Sequence, residues 1–376
     1  MSAITVSGDL LHYEVLGRGR PVILLHSWLG SWRYWIPTMQ QLSVKYRIYA
    51  LDLWGFGDSG KNKPFYHIEG QAQLLEQFLE RMGISKAVFI GHGLGAAVMA
   101  HFATRPNCGK LVHRMMVISP PLFGAGFRNT SSDTSTSATT TTSTNHDEPT
   151  EKPTATTFTF TVTASDDAPT VARLSDADRA MLLRAAAKSG TDETVASSKQ
   201  LTSDTDSSTE AQSTEQTSTE TPKPLSTQEI ISNSASNPLA NMVQRMKPQA
   251  LLSRHVDNTS PDFEKLRVEV EKADEEAIRV SCSSLSQYNP LQKLLKVSTP
   301  TLTLFGANDT FIQMPDESIL EAVSNHDQIR LLVLQNTRHF PMLEDTPRFI
   351  RLLKEFLEAP DLQQIEMKDE WKRRLR

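Results

Sequence analysis

Unbroken apolar runs, rather than alternating ones, mark the strands of this chain. Pro21-Val22-Ile23-Leu24-Leu25, Ile48 to Leu51, Ala87 to Ile90, Met115 to Ser119, Thr301 to Gly306 and Arg330 to Leu334 hold few polar positions. A strand covered on both faces has no side to keep wet, so such runs predict a parallel sheet flanked by helices. Between them lie helical stretches. Leu94 to Thr104 is a small-residue helix, and Gln228 to His255 and Asp262 to Leu285 read as helices too. In the last, Phe263, Leu266, Val270, Ala273 and Ala277 recur at near-helical spacing, as in an amphipathic cap element. Strands alternating with helices predict an α/β architecture, a doubly wound and mostly parallel sheet.

The pattern fails in one long stretch. From about Arg128 to Ser226 the chain is rich in Ser and Thr, with Thr139 to Thr144 nearly pure hydroxyl and a second such run from Ser197 to Thr221. With few aliphatics it cannot bury enough apolar surface to offset ordering entropy, so disorder is the expectation. Within it, Ser175-Asp176-Ala177-Asp178 would cap a short helix through Lys188, and Phe158 to Val162 could make an isolated strand. Of the 376 residues, removing this stretch leaves roughly 275, one domain with a modest cap. The expected organisation is a core in two parts, 1–127 and 285–376, a low-complexity insert at 128–226, and a cap at 227–284.

Ile90-Gly91-His92-Gly93-Leu94-Gly95 joins a buried strand to a helix by a sharp turn. Gly91 and Gly95 are the small residues that a close strand-to-helix passage needs. A dinucleotide loop would want G-x-G-x-x-G and an acidic residue ending the next strand. Here the spacing differs and the next run ends in Ser119-Pro120-Pro121. No cofactor is therefore expected, and no metal-ligand spacing stands out.

Four further segments surround this turn in order: His26-Ser27-Trp28-Leu29-Gly30, Asp52-Leu53-Trp54-Gly55-Phe56-Gly57-Asp58-Ser59, Gly306 with Asn308-Asp309, and His339-Phe340-Pro341. Together they resemble the α/β-hydrolase family, in its esterase, epoxide-hydrolase, haloperoxidase and C-C hydrolase branch, over residues 1 to about 123 and 285 to 357. Its patterns are an H-G loop, D-x-x-G-x-G-x-S, a G-H-S-x-G nucleophile elbow, G-x-x-D and G-H-F-P. The resemblance implies that Asp309 is the acid and His339 the base of a triad, and that the backbone N–H groups of Trp28 and Leu94 form an oxyanion hole. Asp309 by itself would read as ordinary turn chemistry after a strand. His26 and Asp52 are expected to hold loops in place.

Two positions depart from the family at the reacting centre. Gly93 stands at the nucleophile's place, and Ser27 stands where the first oxyanion-loop glycine belongs. Ser27 is expected to aim its backbone, not its Oγ, at a ligand, which leaves it a binding residue beside His26. Removing the serine from a triad costs about a millionfold in turnover. The expectation is thus a non-hydrolytic pseudo-hydrolase that binds a small apolar or ester-like molecule or a partner. The alternative is an active hydrolase, lyase or other proton-transfer enzyme that uses the His339-Asp309 pair without a covalent intermediate, for example on water lodged over Gly93.

Charge changes this picture little. A formal net charge of −5 offers no footprint for nucleic acid, and Lys372-Arg373-Arg374-Leu375-Arg376 reads as a solvated helix end. Ala87 to Ala103 is uncharged but falls short of a membrane span. Met1 to Thr5 has no basic region followed by an apolar stretch, so a secretory leader is not expected there. Only two cysteines, Cys108 and Cys282, fit a reducing, cytoplasmic setting, with Cys108 expected as a surface loop thiol. Nothing in the sequence specifies an oligomeric state.

Overall fold

A computed structural model describes residues 2–123 and 237–365. The Ser/Thr-rich stretch, its candidate helix and strand, and the basic tail lie outside the described residues. Eight strands form one sheet: β1 (Ser2–Val6), β2 (Asp9–Gly17), β3 (Arg20–Leu25), β4 (Tyr46–Leu51), β5 (Ala87–His92), β6 (Val112–Ile118), β7 (Thr301–Gly306) and β8 (Ile329–Leu334). Their order is β1-β2-β4-β3-β5-β6-β7-β8. The first two pairings, β1 with β2 and β2 with β4, are antiparallel, and every later one is parallel. As the apolar runs require, β5, β7 and β8 are buried at every residue.

Helices cover the sheet. α1 (Ile36–Leu42), α2 (Ile68–Arg81) and α3 (Leu94–Thr104) come from the first half of the chain. α3 has the bounds that its small residues predict, and it is buried from Leu94 to Phe102. The expected cap helices are each split in two: α4 (Pro238–Arg245) and α5 (Pro248–His255), then α6 (Phe263–Lys272) and α7 (Glu275–Tyr288). The first break follows from Pro248, which forces Lys247 into extended backbone with ψ 152°. At the second, Asp274 caps α7 by accepting from the Glu276 N–H, which restarts the helix. The core closes with α8 (Pro290–Leu294), α9 (Glu317–Ser324), α10 (Pro341–Glu344) and α11 (Thr346–Glu358).

The register brings the functional segments to one edge. Leu25 pairs with Gly91, His92 with Ile118, Ile118 with Leu304, and Gly306 with Leu334. The loops after β3, β5, β6, β7 and β8 therefore leave the sheet at the same level, where an open parallel sheet gathers its ligand groups. Among the described residues, no helix is long and apolar enough to cross a membrane.

Candidate active site

β5 ends in His92, and Gly93 turns the chain into α3 with φ +51° and ψ −105°. A side-chain-bearing residue held there would be strained by roughly 1–3 kcal/mol, a cost that glycine avoids. The flanking glycines answer to packing. A Cβ on Gly91 would come within 2.6 Å of the Gly95 backbone, and one on Gly95 within 2.6 Å of Leu25.

The loop after β7 carries Asp309. Its Oδ1 accepts from the backbone N–H groups of Phe311 at 2.9 Å and Ile312 at 3.0 Å. Its Oδ2 accepts from the Ser119 hydroxyl at 2.8 Å and from His339 Nδ1 at 2.8 Å. One oxygen is thus pinned by the loop's own amides, which aims the other. Because a carboxylate only accepts, Nδ1 carries the proton of the His339 ring, and Nε2 presents a lone pair.

That lone pair meets the hydroxyl of Ser27, whose Oγ lies 2.9 Å from Nε2. Ser27, expected to aim only its backbone at the reacting space, turns its side chain there as well. The reason is the room beside Gly93. A Cβ on Gly93 would stand 2.1 Å from Ser27 Oγ and 2.9 Å from Ser27 Cβ. Ser27 and Gly93 each lie two residues beyond the paired Leu25 and Gly91, so the loops leave adjacent strands side by side. Where Gly93 has no side chain, the Ser27 hydroxyl sits.

Ser27 is held from behind. Its N–H donates to Tyr34 Oη at 2.7 Å, and that oxygen lies 2.9 Å from His92 Nδ1. Burial pushes the Tyr34 phenol well up and the His92 imidazole well down, so both stay neutral. The Ser27 carbonyl lies 2.8 Å from His26 Nδ1, while the Leu53 N–H donates to His26 Nε2 at 3.0 Å. Since the amide can only donate, His26 carries its proton on Nδ1 and donates it to Ser27. Burial lowers the His26 pKa and keeps this form. Asp52 accepts from the Trp32 and Asp58 N–H groups and from His12 Nδ1. His26 and Asp52 therefore tie loops together. His12, Asp52 and Asp58 form a group whose ligand atoms could face one cation, but both Asp52 oxygens already have donors.

Trp28 and Leu94 are fully buried. Among the described residues, no acceptor is found for the backbone N–H of either. Buried amides without a partner are rare. That of Leu94 is one of the free donors at the start of α3, where the helix dipole favours negative charge. The Trp28 ring is anchored by its Nε1, which donates to Ser281 Oγ at 2.9 Å. Among the described residues, then, the N–H groups of both Trp28 and Leu94 are left without an acceptor.

Around these groups the surroundings are apolar and aromatic. Phe311 and Phe340 stand edge-on to the His339 ring at 5.0 Å each, and the His92 ring is 4.3 Å away. Ser27 and His339 are both 0% exposed. A cavity of about 360 Å³ lies next to the site, lined by Asn308, Arg338, Phe340 and charged residues such as Asp257 and Glu344. It touches the chain neighbours of Asp309 and His339 rather than those side chains. Cys108 is buried rather than on a surface loop, and burial chiefly pushes its thiol up to about 11. It plays no part at this site.

The structure thus brings together Gly93, Asp309, His339, Ser27, His26, Trp28 and Leu94, all singled out from the sequence. Three supporting residues escaped that reading. Ser119 ends an apolar run before Pro120-Pro121, and with φ +45° its hydroxyl donates to Asp309. Tyr34 belongs to the aromatic segment Trp32 to Trp35, which carries no motif. His92 sat inside the elbow motif, where its ring carried no visible signal.

The family model described as alpha/beta hydrolase fold matches residues 20–346. The chain belongs to the α/β-hydrolase family. Within that family it is 32% identical over 123 residues to the soluble epoxide hydrolase of Corynebacterium sp., a match covering 32% of this chain and 42% of that protein. It is 31% identical over 116 residues to the pimeloyl-acyl carrier protein methyl ester esterase of Vibrio campbellii, covering 31% of this chain and 43% of the esterase. The aligned part spans less than half the length of either relative. Among solved α/β-hydrolase structures, the esterase from Exiguobacterium antarcticum superposes with a TM-score of 0.57 at 13% identity, over 94% of this chain and 97% of that one. At that identity the likeness is one of fold.

Proposed function

We propose that this chain is a hydrolase of small ester-like substrates, with His339 as its general base. The observation that supports this best is the wiring of that histidine. Asp309 Oδ2 holds Nδ1 at 2.8 Å, and Nε2 lies 2.9 Å from an oxygen that can give up a proton. A base so oriented, with two buried N–H groups on Trp28 and Leu94 that have no acceptor among the described residues, suits attack by an oxygen nucleophile on a carbonyl carbon. The apolar, aromatic surroundings strengthen each of these interactions relative to water. No cofactor is needed for such chemistry. Gly93 removes the family's usual elbow serine, and on this reading it does not remove the base, the acid or the hole.

A second reading, a pseudo-hydrolase that binds a small molecule without turnover, is favoured by one observation: Ser27 and His339 are closed off from solvent, so substrate must part the aromatic walls to reach them. Turnover of short-chain p-nitrophenyl esters by the purified protein and its His339→Ala variant separates the two. A loss of about 10³-fold or more in the variant is expected for a base within a triad. Equal rates for the two proteins would overturn the hydrolase reading and leave the binding one.

A further inference from the structure

We propose that Ser27 is the nucleophile of this site, supplied from the loop after β3 instead of from the elbow after β5. This rests on the hydrolase reading above and names the reacting atom. Three independent observations carry it. The Ser27 hydroxyl is 2.9 Å from the His339 Nε2 lone pair, the distance at which a base takes a nucleophile's proton. The same oxygen lies 2.1 Å from where a Cβ of residue 93 would be, which is nearly where the hydroxyl of an elbow serine would sit. And the residue after Ser27 is Trp28, whose backbone N–H has no acceptor among the described residues. The nucleophile's following N–H therefore still faces the oxyanion, with Leu94 as the second donor.

Relative to the family pattern, serine and glycine have traded places between two adjacent loops. The first change depends on the second. A side chain on residue 93 would collide with Ser27, so Ser27 can hold its position only opposite glycine. The exchange also alters the backbone. Ser27 is not among the described non-glycine residues with positive φ, so the nucleophile is delivered from an ordinary conformation, and the left-handed turn is left to Gly93.

The chemistry closes on residues already in place. His339 Nε2 takes the Ser27 Oγ proton as Oγ bonds to the carbonyl carbon of an ester. The carbonyl oxygen carries the negative charge against the Trp28 and Leu94 N–H groups. Collapse breaks the bond to the leaving alkoxide, which receives the proton from Nε2 and departs as the alcohol. Water then attacks the Ser27 acyl ester, giving a proton to Nε2. The bond to Oγ breaks, Oγ recovers that proton, and the acid leaves. One water is consumed, and Asp309 remains a carboxylate throughout.

The test pairs covalent labelling with kinetics. The full-length protein is treated with a fluorophosphonate probe, and its peptides are analysed by mass spectrometry. The expected result is one adduct on the peptide bearing Ser27, absent from the His339→Ala variant. Ser27→Ala, with its fold checked by circular dichroism, is expected to lose at least about a thousandfold in ester turnover. If the natural protein turns esters over while Ser27→Ala does so equally well, the nucleophile is not Ser27, although the hydrolase reading survives. An adduct on another residue, or no adduct in an active protein, overturns the assignment in the same way. If the natural protein turns over no ester and Ser27 takes no label, both readings fall. A Ser27 adduct without ester turnover would sustain the activated serine and overturn only the choice of esters.

Discussion

A Cβ on Gly93 would lie 2.1 Å from Ser27 Oγ and 2.9 Å from Ser27 Cβ, so a serine at residue 93 would force the Ser27 side chain out of its present place. The relation is mutual. The open turn at residue 93 gives the Ser27 side chain its place, and that side chain fills the gap left by glycine.

The first expectation follows for Gly93→Ser. Restoring the elbow serine alone puts a side chain at φ +51°, costing roughly 1–3 kcal/mol in backbone strain, and crowds Ser27 by a similar amount. The double variant Ser27→Gly with Gly93→Ser relieves the crowding. In denaturant unfolding of the four proteins, the double variant should lose less stability than the sum of the single ones, with a coupling of about 0.5–3 kcal/mol. Strict additivity would show that the two positions do not compete for space.

Tyr34 gives a second expectation, as a positioning residue. Tyr34→Phe removes the only acceptor that the described residues offer the Ser27 N–H and leaves a buried amide unpaired, at a cost of about 1–3 kcal/mol. Loosening Ser27 relative to His339 should lower kcat about 10- to 100-fold while KM changes little. A KM effect with kcat intact would place Tyr34 in substrate binding instead.

Asp309 and Ser119 should separate sharply in kinetics. Asp309→Asn disturbs the proton position on His339 and should cost about 10⁴-fold in kcat. Ser119→Ala removes one of four hydrogen bonds to Asp309, and the other three keep the carboxylate aimed. Its cost should be about 1 kcal/mol in stability, with kcat within about tenfold of the natural protein. Equal damage from the two substitutions would mean that the amide bonds do not fix Asp309.

The pH dependence of stability tests the loop anchors. For His12, burial works against protonation, but the hydrogen bond and charge of Asp52 outweigh it and raise the pKa above 6.5. A raised value in the folded state gives stability that is fully present below 6.5 and lost as pH rises through the folded pKa. The gap in Tm between the natural protein and His12→Gln should therefore be widest near pH 5.5 and narrow on the alkaline side. His26 runs the other way: burial lowers its pKa, so its contribution is present above 6.5 and fades as pH falls toward its folded value. A Tm gap for His12→Gln that grows with pH would reverse the assignment.

Much of the site was legible in the chain because its parts are local. The elbow glycines, the Asn308-Asp309 turn and His339 each declare themselves within a few residues of a strand end, and the bounds of β7 and α3 follow from unbroken apolar or small-residue runs. The breaks at Lys247-Pro248 and at Asp274 were less visible, because in a charged amphipathic stretch the helical period runs through both.

Sequence alone thus determined the six strands that have unbroken apolar runs, the turn after β5, and the places of Asp309 and His339 near strand ends, but not β1 and β2, since hydrophobic burial and turn chemistry act over short spans. It also led to the expectation that Ser27 and Gly93 depart from the family pattern. Which atom meets His339 was decided only by the tertiary structure. β3 lies next to β5 in the sheet although β4 separates them in the chain, and only that strand order sets residue 27 beside residue 93. Mutual exclusion of two side chains in one volume is a property of that packing.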